Sequence, residues 1–208
     1  MVNRLITIQI LCEGLEEKAY IDKILSMPTI RKDVYSFFPT INCKSITKIF
    51  PRFQDVFSQN YANIILIFCD ADNNSSNFRN LVSKIDNCIF GRTNISKKII
   101  IFANPVTLQI ILSHFSYVSL KVSSKSSNQK IIETLTDIKN YQAHNEQIRQ
   151  LVSLINFSNY EVMKENLKTI SKKVTDVPST NFLDFAKSIE NEDTTWCNEI
   201  IDLIEKGE

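Results

Sequence analysis

The chain has 208 residues, which is enough for one domain with a sizeable core and too few for two independent domains. Hydrophobic residues make up 43% of it, and no apolar run approaches the roughly 20 residues of a membrane-spanning helix, so we expect a soluble protein. The formal net charge of +1 excludes binding to nucleic acid through overall charge, so contact with a polyanion requires a local basic patch.

The termini and cysteines give further limits. One basic residue precedes the first apolar run, and no small-residue cleavage pattern follows it, which predicts a cytoplasmic protein without a secretory signal. The cysteines are scattered and form no CxxC pair, so neither a zinc site nor a disulfide framework is expected. They are Cys12, Cys43, Cys69, Cys88 and Cys197.

Apolar runs alternate with helical periodicity over the first half of the chain, which is typical of a parallel α/β sheet. The predicted strands are residues 5–12, an edge strand at 34–43 interrupted by Pro39, 63–69 and 98–103. Helices are predicted at residues 16–26 and at residues 51–61, the second with proline in its first turn. Two more are predicted from the spacing of apolar residues: one contains Phe78, Leu81, Val82 and Ile85, and the other contains Leu108, Ile111 and Leu112.

The second half has only helical periodicity. A polar loop is predicted at residues 119–129 and a turn with a helix cap at 178–180. Predicted helices follow the loop at residues 131–138, 147–155, 160–170, 182–189 and 196–204. We therefore predict an α/β domain over residues 1–116 and an α-helical region over residues 117–208, packed on it or beside it.

Polar side chains follow three of the predicted strands. Glu13 comes after the first, Asp70 and Asp72 after NIILIFC, and Asn104 after KIIIFA. The carboxyl ends of parallel strands meet at one edge of a sheet, and Glu17 lies one helical turn beyond Glu13, so we expect these side chains to converge.

Four converging carboxylates repel one another unless a cation lies between them. Their hard oxygen atoms suit Mg²⁺ or Mn²⁺, and no His or Cys accompanies them, which argues against zinc. Gly14 would let the chain turn sharply from strand to helix and let a phosphate or a metal-bound water approach the backbone. Glu16, in the same turn, is expected to face solvent.

The segments ILCEGLEEKAYI and ILIFCDADNN together resemble the TOPRIM domain, the metal-binding module of topoisomerases, primases, RecR-type recombination proteins and OLD-family nucleases. In that family the first strand ends in Glu-Gly and the third in Asp-x-Asp, and Glu13-Gly14 and Asp70-Ala71-Asp72 match these motifs. Glu17 matches an additional acidic residue of the OLD-type variant. The resemblance covers about residues 5–115 and implies a TOPRIM-like, mainly parallel sheet flanked by helices.

A second resemblance comes from ANPVTLQIILSHF. It is similar to a segment of RloB-like and AbiL-like TOPRIM proteins of bacterial phage defence, in which a strand ends in Asn-Pro and the next helix carries a His-Phe pair. Asn104-Pro105 and His114-Phe115 match. Relatives usually carry glutamate where Leu108 stands and an aromatic residue where Ile110 stands, so the number of bound metal ions is left open at one or two.

The resemblance implies metal-dependent phosphoryl transfer. Asp70 and Asp72 would hold Mg²⁺ or Mn²⁺, Glu17 would serve a second ion, and Glu13 would be a metal ligand or a general base. Gly14, Asn104 and His114 would support the site, although His114 lies on an apolar helix and is expected to be a buried structural histidine.

These residues predict a nuclease that hydrolyses RNA or DNA as a toxic effector of anti-phage defence. No nucleophilic tyrosine is evident, so hydrolysis is favoured over strand passage. The alternatives are a non-catalytic TOPRIM module that partners a recombination protein or an ABC-type or AAA-type ATPase, and an enzyme that acts on a small phosphorylated substrate. The chain contains no P-loop motif, so an ATPase would be a separate partner; self-association is left open. Candidate phosphate contacts are Lys44, Lys48, Arg79, Arg92, Lys97, Lys98, Lys121 and Lys125.

Overall fold

The computed structural model describes residues 5–88, 94–118 and 125–206, without the side chains of residues 125–127, 205 and 206. Its strands are β1 (Ile6–Cys12), β2 (Tyr35–Phe37), β3 (Ile41–Asn42), β4 (Ile64–Asp70), β5 (Ile100–Asn104) and β6 (Ser179–Thr180). Its helices are α1 (Leu15–Leu25), α2 (Ile46–Gln59), α3 (Ser76–Cys88), α4 (Ser96–Ile99), α5 (Leu108–Leu112), α6 (Lys125–Thr136), α7 (Asn145–Ser153), α8 (Phe157–Leu167), α9 (Phe182–Glu190) and α10 (Thr195–Lys206).

These strands form one mostly parallel sheet in the order β2-β1-β4-β5-β6, and β3 also pairs with β1. The pairs that β1 makes with β2, β3 and β4, and the pair of β4 with β5, are parallel. This confirms the predicted α/β class. The edge strand predicted at residues 34–43 is also confirmed, because β2 and β3 are two pieces of one edge on either side of Pro39.

Aromatic side chains fix helices to both faces of this sheet. On one face, Phe68 of β4 packs against Tyr20 of α1 and Phe182 of α9, with ring centroids 6.3 and 5.7 Å away. On the other, Phe102 of β5 packs against Phe78 of α3 at 6.2 Å. Since Phe102 pairs with Cys69, the neighbour of Phe68, the two phenylalanines point to opposite faces. Helices therefore cover both faces of the sheet, as the near-continuous apolar strands require.

Two predicted elements of the first half begin two or more residues away from the predicted position. Helix α2 starts at Ile46 and not at residue 51, so Pro51 lies inside it. Ile46, Ile49, Phe53 and Val56 are buried at helical spacing, and their burial outweighs the local cost of the proline. In the strand predicted at residues 98–103, the first two residues belong to α4, and β5 begins at Ile100.

The C-terminal half contributes to the same sheet, which the sequence did not indicate. The turn predicted at residues 178–180 is wrong, because Ser179 and Thr180 form β6, antiparallel to β5. The side chain of Asn181 extends this pairing: Phe102 N donates to its Oδ1, and its Nδ2 donates to Ile100 O, at 2.9 and 2.8 Å. Such a short polar strand has no periodicity to detect.

Helices α7 and α8 begin two and three residues before their predicted starts, and the other differences concern the join between the two halves. Of the polar loop predicted at residues 119–129, residues 125–129 belong to α6, and residues 119–124 lie outside the described residues. Side chains from both halves share one hydrophobic core, whereas the division near residue 116 stays a prediction. Across the described part of the chain, no helix has both the length and the apolar character needed to cross a bilayer.

Candidate functional site

The carboxyl edge of the sheet carries a group of interacting carboxyl groups. Glu13 follows β1, Asp70 ends β4, Asp72 lies two residues beyond, and Glu17 lies in the first turn of α1. The charge of Glu17 raises the pKa of Glu13 and the pKa of Asp70, and the charge of Asp72 raises the pKa of Glu17. Glu17 therefore interacts electrostatically with each of the other three. The structure thus places the four acidic residues that the sequence singled out at one edge of the sheet, where their charges interact.

Burial is the largest influence on these groups. Burial raises the pKa of Glu13 to about 7, and the charges of Glu17 and Asp72 raise it further. Hydrogen bonds from the backbone of Asp70 and Ile46 act in the opposite direction and lower it. The pKa of Asp70 lies well above its ordinary value, because of burial and then the charge of Glu17. Burial also raises the pKa of Glu17, only 5% exposed, and that of Asp72. The site favours protons or a cation over four free negative charges.

Uncharged groups of the protein hold three of these carboxylates. Asp70 N donates to Glu13 Oε2 at 3.1 Å, and Gly14 N donates to Glu17 Oε2 at 2.9 Å. The backbone N–H and the hydroxyl of Thr107 donate to Asp70 Oδ1 at 2.7 and 2.8 Å. Within residues 5–88, 94–118 and 125–206, none of the ion pairs includes one of the four acids. Their charge is therefore not balanced by a described lysine or arginine.

The donor chemistry fits a hard divalent cation, since carboxylate and hydroxyl oxygens converge there. As the side chains stand, however, no three His, Cys, Asp or Glu residues of the described ranges are arranged to hold a metal ion. One oxygen of each of Glu13, Glu17 and Asp70 accepts hydrogen bonds from the protein's own donors instead.

Gly14 has a different role from the one expected. Its φ of −135° is extended backbone that any residue adopts, so the turn from β1 into α1 does not require glycine. What favours glycine is the carboxylate of Glu17, because a Cβ at residue 14 would lie 2.8 Å from Glu17 Oε2. Gly14 thus allows Glu17, the third residue of the helix, to reach back and cap its amino end.

We predict that Gly14→Ala lowers the free energy of unfolding by about 1 kcal/mol, because the new methyl group displaces the capping carboxylate. Urea denaturation in EDTA measures this loss. In a Glu17→Ala background the carboxylate is absent, so adding Gly14→Ala should cost much less than in the wild type. Equal costs in the two backgrounds would contradict this role for Gly14.

The loop that carries Asp72 has an uncommon backbone. Asp72, Asn73 and Asn74 all have left-handed φ angles, of 47°, 58° and 57°. Asp and Asn tolerate this region better than other residues with side chains, yet three in succession need support from their surroundings. Asn104 Oδ1 accepts from Asn73 N at 2.8 Å, and Pro105 O accepts from Asp72 N at 3.1 Å. The end of β5 thereby holds the loop that presents the exposed Asp72.

Asn104 is the junction between this loop and the C-terminal half. It is fully buried, and its Nδ2 donates to Val174 O and Asp176 O at 2.9 and 2.8 Å. With the bond from Asn73, its side-chain amide makes three hydrogen bonds to backbone groups. The structure therefore places Asn104 beside the acidic residues as a positioning group.

His114 lies in the core, as expected of a structural histidine. It is 1% exposed, its Nε2 lies 3.0 Å from Tyr20 Oη, and its ring packs against Tyr160. Burial lowers its pKa to about 3, so the imidazole is neutral. Leu108 is also buried. Neither side chain supplies an additional charge to the acidic group.

Sequence reasoning missed two contributors to the site and misplaced a third. Thr107 binds Asp70, and Tyr141 donates a hydrogen bond to Glu16 Oε1. Glu16 does not face solvent freely: it is half-buried, and burial, followed by the charge of Glu17, raises its pKa to about 7. A signal existed for Thr107 alone, which follows the Asn-Pro motif at the end of β5.

The candidate phosphate contacts divide between the two edges of the sheet. Lys97 and Lys98 precede β5, so the strand's length of about 16 Å separates them from the carboxyl edge, and Lys98 pairs with Glu199. Lys44 and Lys48 follow β3, and Arg79 donates to Asn74 O in the Asp72 loop, so these three lie on the acidic side. Arg92, Lys121 and the side chain of Lys125 lie outside the described residues.

Comparison of the chain with protein-family models, curated proteins and solved structures finds no match. The resemblance to TOPRIM proteins therefore depends on the motifs of this chain and on the position of their residues in the fold.

Proposed function

We propose that the protein is a divalent-metal-dependent nuclease with a TOPRIM-type site, which hydrolyses phosphodiester bonds of RNA or DNA. The observation that carries the proposal is the group of mutually repelling carboxyls at the carboxyl edge of a parallel sheet, of which Glu17 is buried, Glu13 and Asp70 are partly buried and Asp72 is exposed. Unbalanced buried charge is costly, and proteins retain it where a cation or a reaction uses it. The order Glu-Gly after β1 and Asp-x-Asp after β4 supports a TOPRIM-type assignment.

In this proposal Asp70 and Asp72 hold Mg²⁺ or Mn²⁺, with Glu17 available to a second ion. The bound metal supplies positive charge that stabilises the phosphate during in-line displacement. Glu13 binds metal or accepts the proton of the attacking water; in the metal-free protein burial raises its pKa to about 7. Thr107 orients Asp70, and Asn104 holds the Asp72 loop.

The substrate would reach this edge from solvent. Lys44, Lys48 and Arg79 lie on the same side of the sheet as the carboxylates and would bind the phosphate backbone there. The RloB-like resemblance supports a role as toxic effector in anti-phage defence, beside an ABC-type or AAA-type ATPase partner.

A second candidate is a TOPRIM module without catalysis that partners an ATPase or a recombination protein. Two observations favour it: no three acidic, His or Cys side chains of the described residues are gathered as a metal cluster, and buried Leu108 replaces the usual glutamate. This module would bind its partner without consuming nucleic acid.

A cleavage assay separates the candidates. We expect the purified chain to cut tRNA, other RNA, single-stranded DNA or duplex DNA in Mg²⁺ or Mn²⁺, and to stop when EDTA is added. If the chain cuts none of the four substrates in either metal, and calorimetry at millimolar metal concentration detects no binding, the nuclease is contradicted. The non-catalytic module is then favoured.

A further inference from the structure

A cavity lies beside β5, on the face of the sheet that α3 covers. Its volume is about 500 Å³, within the roughly 300–1,000 Å³ that is typical of small-molecule sites. The rings of Phe78 and Phe102 form part of its wall and meet at 66°. Its apolar lining is buried or half-buried and comes from α3, β5 and the segment before β6: Phe78, Val82, Ile100, Phe102 and Val174.

Two cationic side chains lie where this cavity meets solvent. Lys97 and Lys172 both line it, and both are exposed. Lys172 forms an ion pair with Asp184 at 2.6 Å. Lys97, in contrast, belongs to none of the ion pairs within residues 5–88, 94–118 and 125–206. Its ammonium group is therefore available to an anion at the opening of the cavity.

The other polar groups of the lining are largely engaged with the protein. Ser96 N and Ser96 Oγ each donate to the carboxylate of Asp86 at 2.9 Å, so both oxygens of this acid have a partner. Asn181 uses its amide oxygen and its amide nitrogen on the backbone of β5. The groups left to a ligand are the apolar wall and, at the opening, the ammonium of Lys97 beside the side chain of Asn94.

We propose that this cavity binds a small molecule with an aromatic body and one anionic group, of which an aromatic carboxylate is the simplest example. The two phenylalanine rings and the aliphatic side chains bury the aromatic body, because aromatic rings pack edge-to-face or offset against one another. Lys97 pairs with the anion through a charge-assisted hydrogen bond. Among the described residues that line the cavity there is none of the four acids, so the inference goes beyond the proposed function and does not rest on it.

The test begins with a fluorescence titration of the full chain with anilinonaphthalene sulfonate, a flat aromatic anion that fluoresces in apolar surroundings. We expect one saturable site per chain, from which naphthoate displaces the dye. Two competitors separate the contributions of charge and ring. Naphthalenemethanol has the ring without the charge, and octanoate has the charge without the ring. Each should bind about 5-fold more weakly than naphthoate, or weaker still.

Variants at the opening and on the wall locate the site. Lys97→Gln should raise the Kd for naphthoate about 5-fold and leave the Kd for naphthalenemethanol unchanged, because it removes only the charge. Lys98→Gln is the matched control: this neighbour in α4 pairs with Glu199, does not line the cavity and should bind like the wild type. Val82→Asp places a carboxylate on the apolar wall and should weaken both ligands about 10-fold.

Three results would overturn the proposal. The first is an unchanged naphthoate affinity in Lys97→Gln, which folds as an exposed substitution. The second is octanoate binding as tightly as naphthoate, since the occupant would then be an aliphatic acid. The third is the absence of saturable displacement at millimolar naphthoate, as expected if residues 89–93 of this chain occupy the cavity. None of these results depends on metal binding or on nucleic-acid cleavage, so the proposed function is tested separately.

Discussion

Asp70→Asn is expected to abolish cleavage and, in the same protein, to stabilise the metal-free fold. Asparagine keeps an oxygen for both hydrogen bonds of Thr107, so the local structure should persist. It removes the charge that Glu13, Glu16 and Glu17 all oppose. We expect the free energy of unfolding to rise by about 1–2 kcal/mol in EDTA, as when buried repulsion is relieved.

The loss of activity follows from the same charge. A metal ion contributes several kcal/mol of transition-state stabilisation, so losing its ligand should slow cleavage at least ~100-fold. The assay is initial cleavage rate in Mg²⁺, alongside urea denaturation in EDTA. Asp55→Asn, which removes an exposed carboxylate paired with Arg52 on α2, is the control and should change neither quantity appreciably.

Two outcomes would contradict this prediction in different ways. Undiminished cleavage in Asp70→Asn would remove Asp70 from the reaction. A large loss of stability would instead show that Asp70 has a structural role. Its hydrogen bonds with Thr107 would then contribute more to stability than its repulsion of the neighbouring carboxylates takes away. A gain in stability with a loss of function is the usual signature of a residue retained for its chemistry.

The stability of the metal-free protein should fall as pH rises from about 4.5 to about 7. Glu13 and Glu16 each have a pKa of about 7 in the folded protein, against an ordinary value of 4.5. Below pH 4.5 both carboxyls are protonated in the folded protein and in the unfolded chain, so the free energy of unfolding has its highest value. Between pH 4.5 and pH 7 the two carboxyls ionise in the unfolded chain but keep their protons in the folded protein, so the free energy of unfolding decreases. Above pH 7 it decreases no further on their account. The shift corresponds to about 3 kcal/mol at most per group.

Urea denaturation in EDTA from pH 4.5 to 8.5 measures this slope. Glu13→Gln and Glu16→Gln should each flatten it, while Glu165→Gln, at an exposed position on α8, should not. Addition of Mg²⁺ should raise the melting temperature more at pH 8 than at pH 5, because protons and metal compete for the same carboxylates. A metal-free protein whose stability rises over this range would contradict the burial of these two groups.

Sequence reasoning was most successful where the local pattern is strong. Apolar strands that end in polar residues predicted β1, β4 and β5 closely, because central parallel strands are buried on both faces and read as continuous apolar runs. It failed at α2, where amphipathic burial outweighs Pro51, and at β6, whose Ser179 and Thr180 carry no periodic signal. Both failures have one cause: long-range packing decided the structure of a segment whose local signal was weak or misleading.

The sequence alone determined that these four acids would lie at one edge of the sheet, because parallel strands place their carboxyl ends there. Only the tertiary structure decided how they are held. It assigned Thr107 to Asp70, turned Glu17 back to cap the helix over Gly14, and placed Tyr141 on Glu16. The contacts of Thr107 and Tyr141 join segments 37 and 125 positions apart in the chain, so their partners are set by how distant elements pack together; the bond from Gly14 to Glu17 is local, but it depends on the side-chain direction that the folded structure gives Glu17.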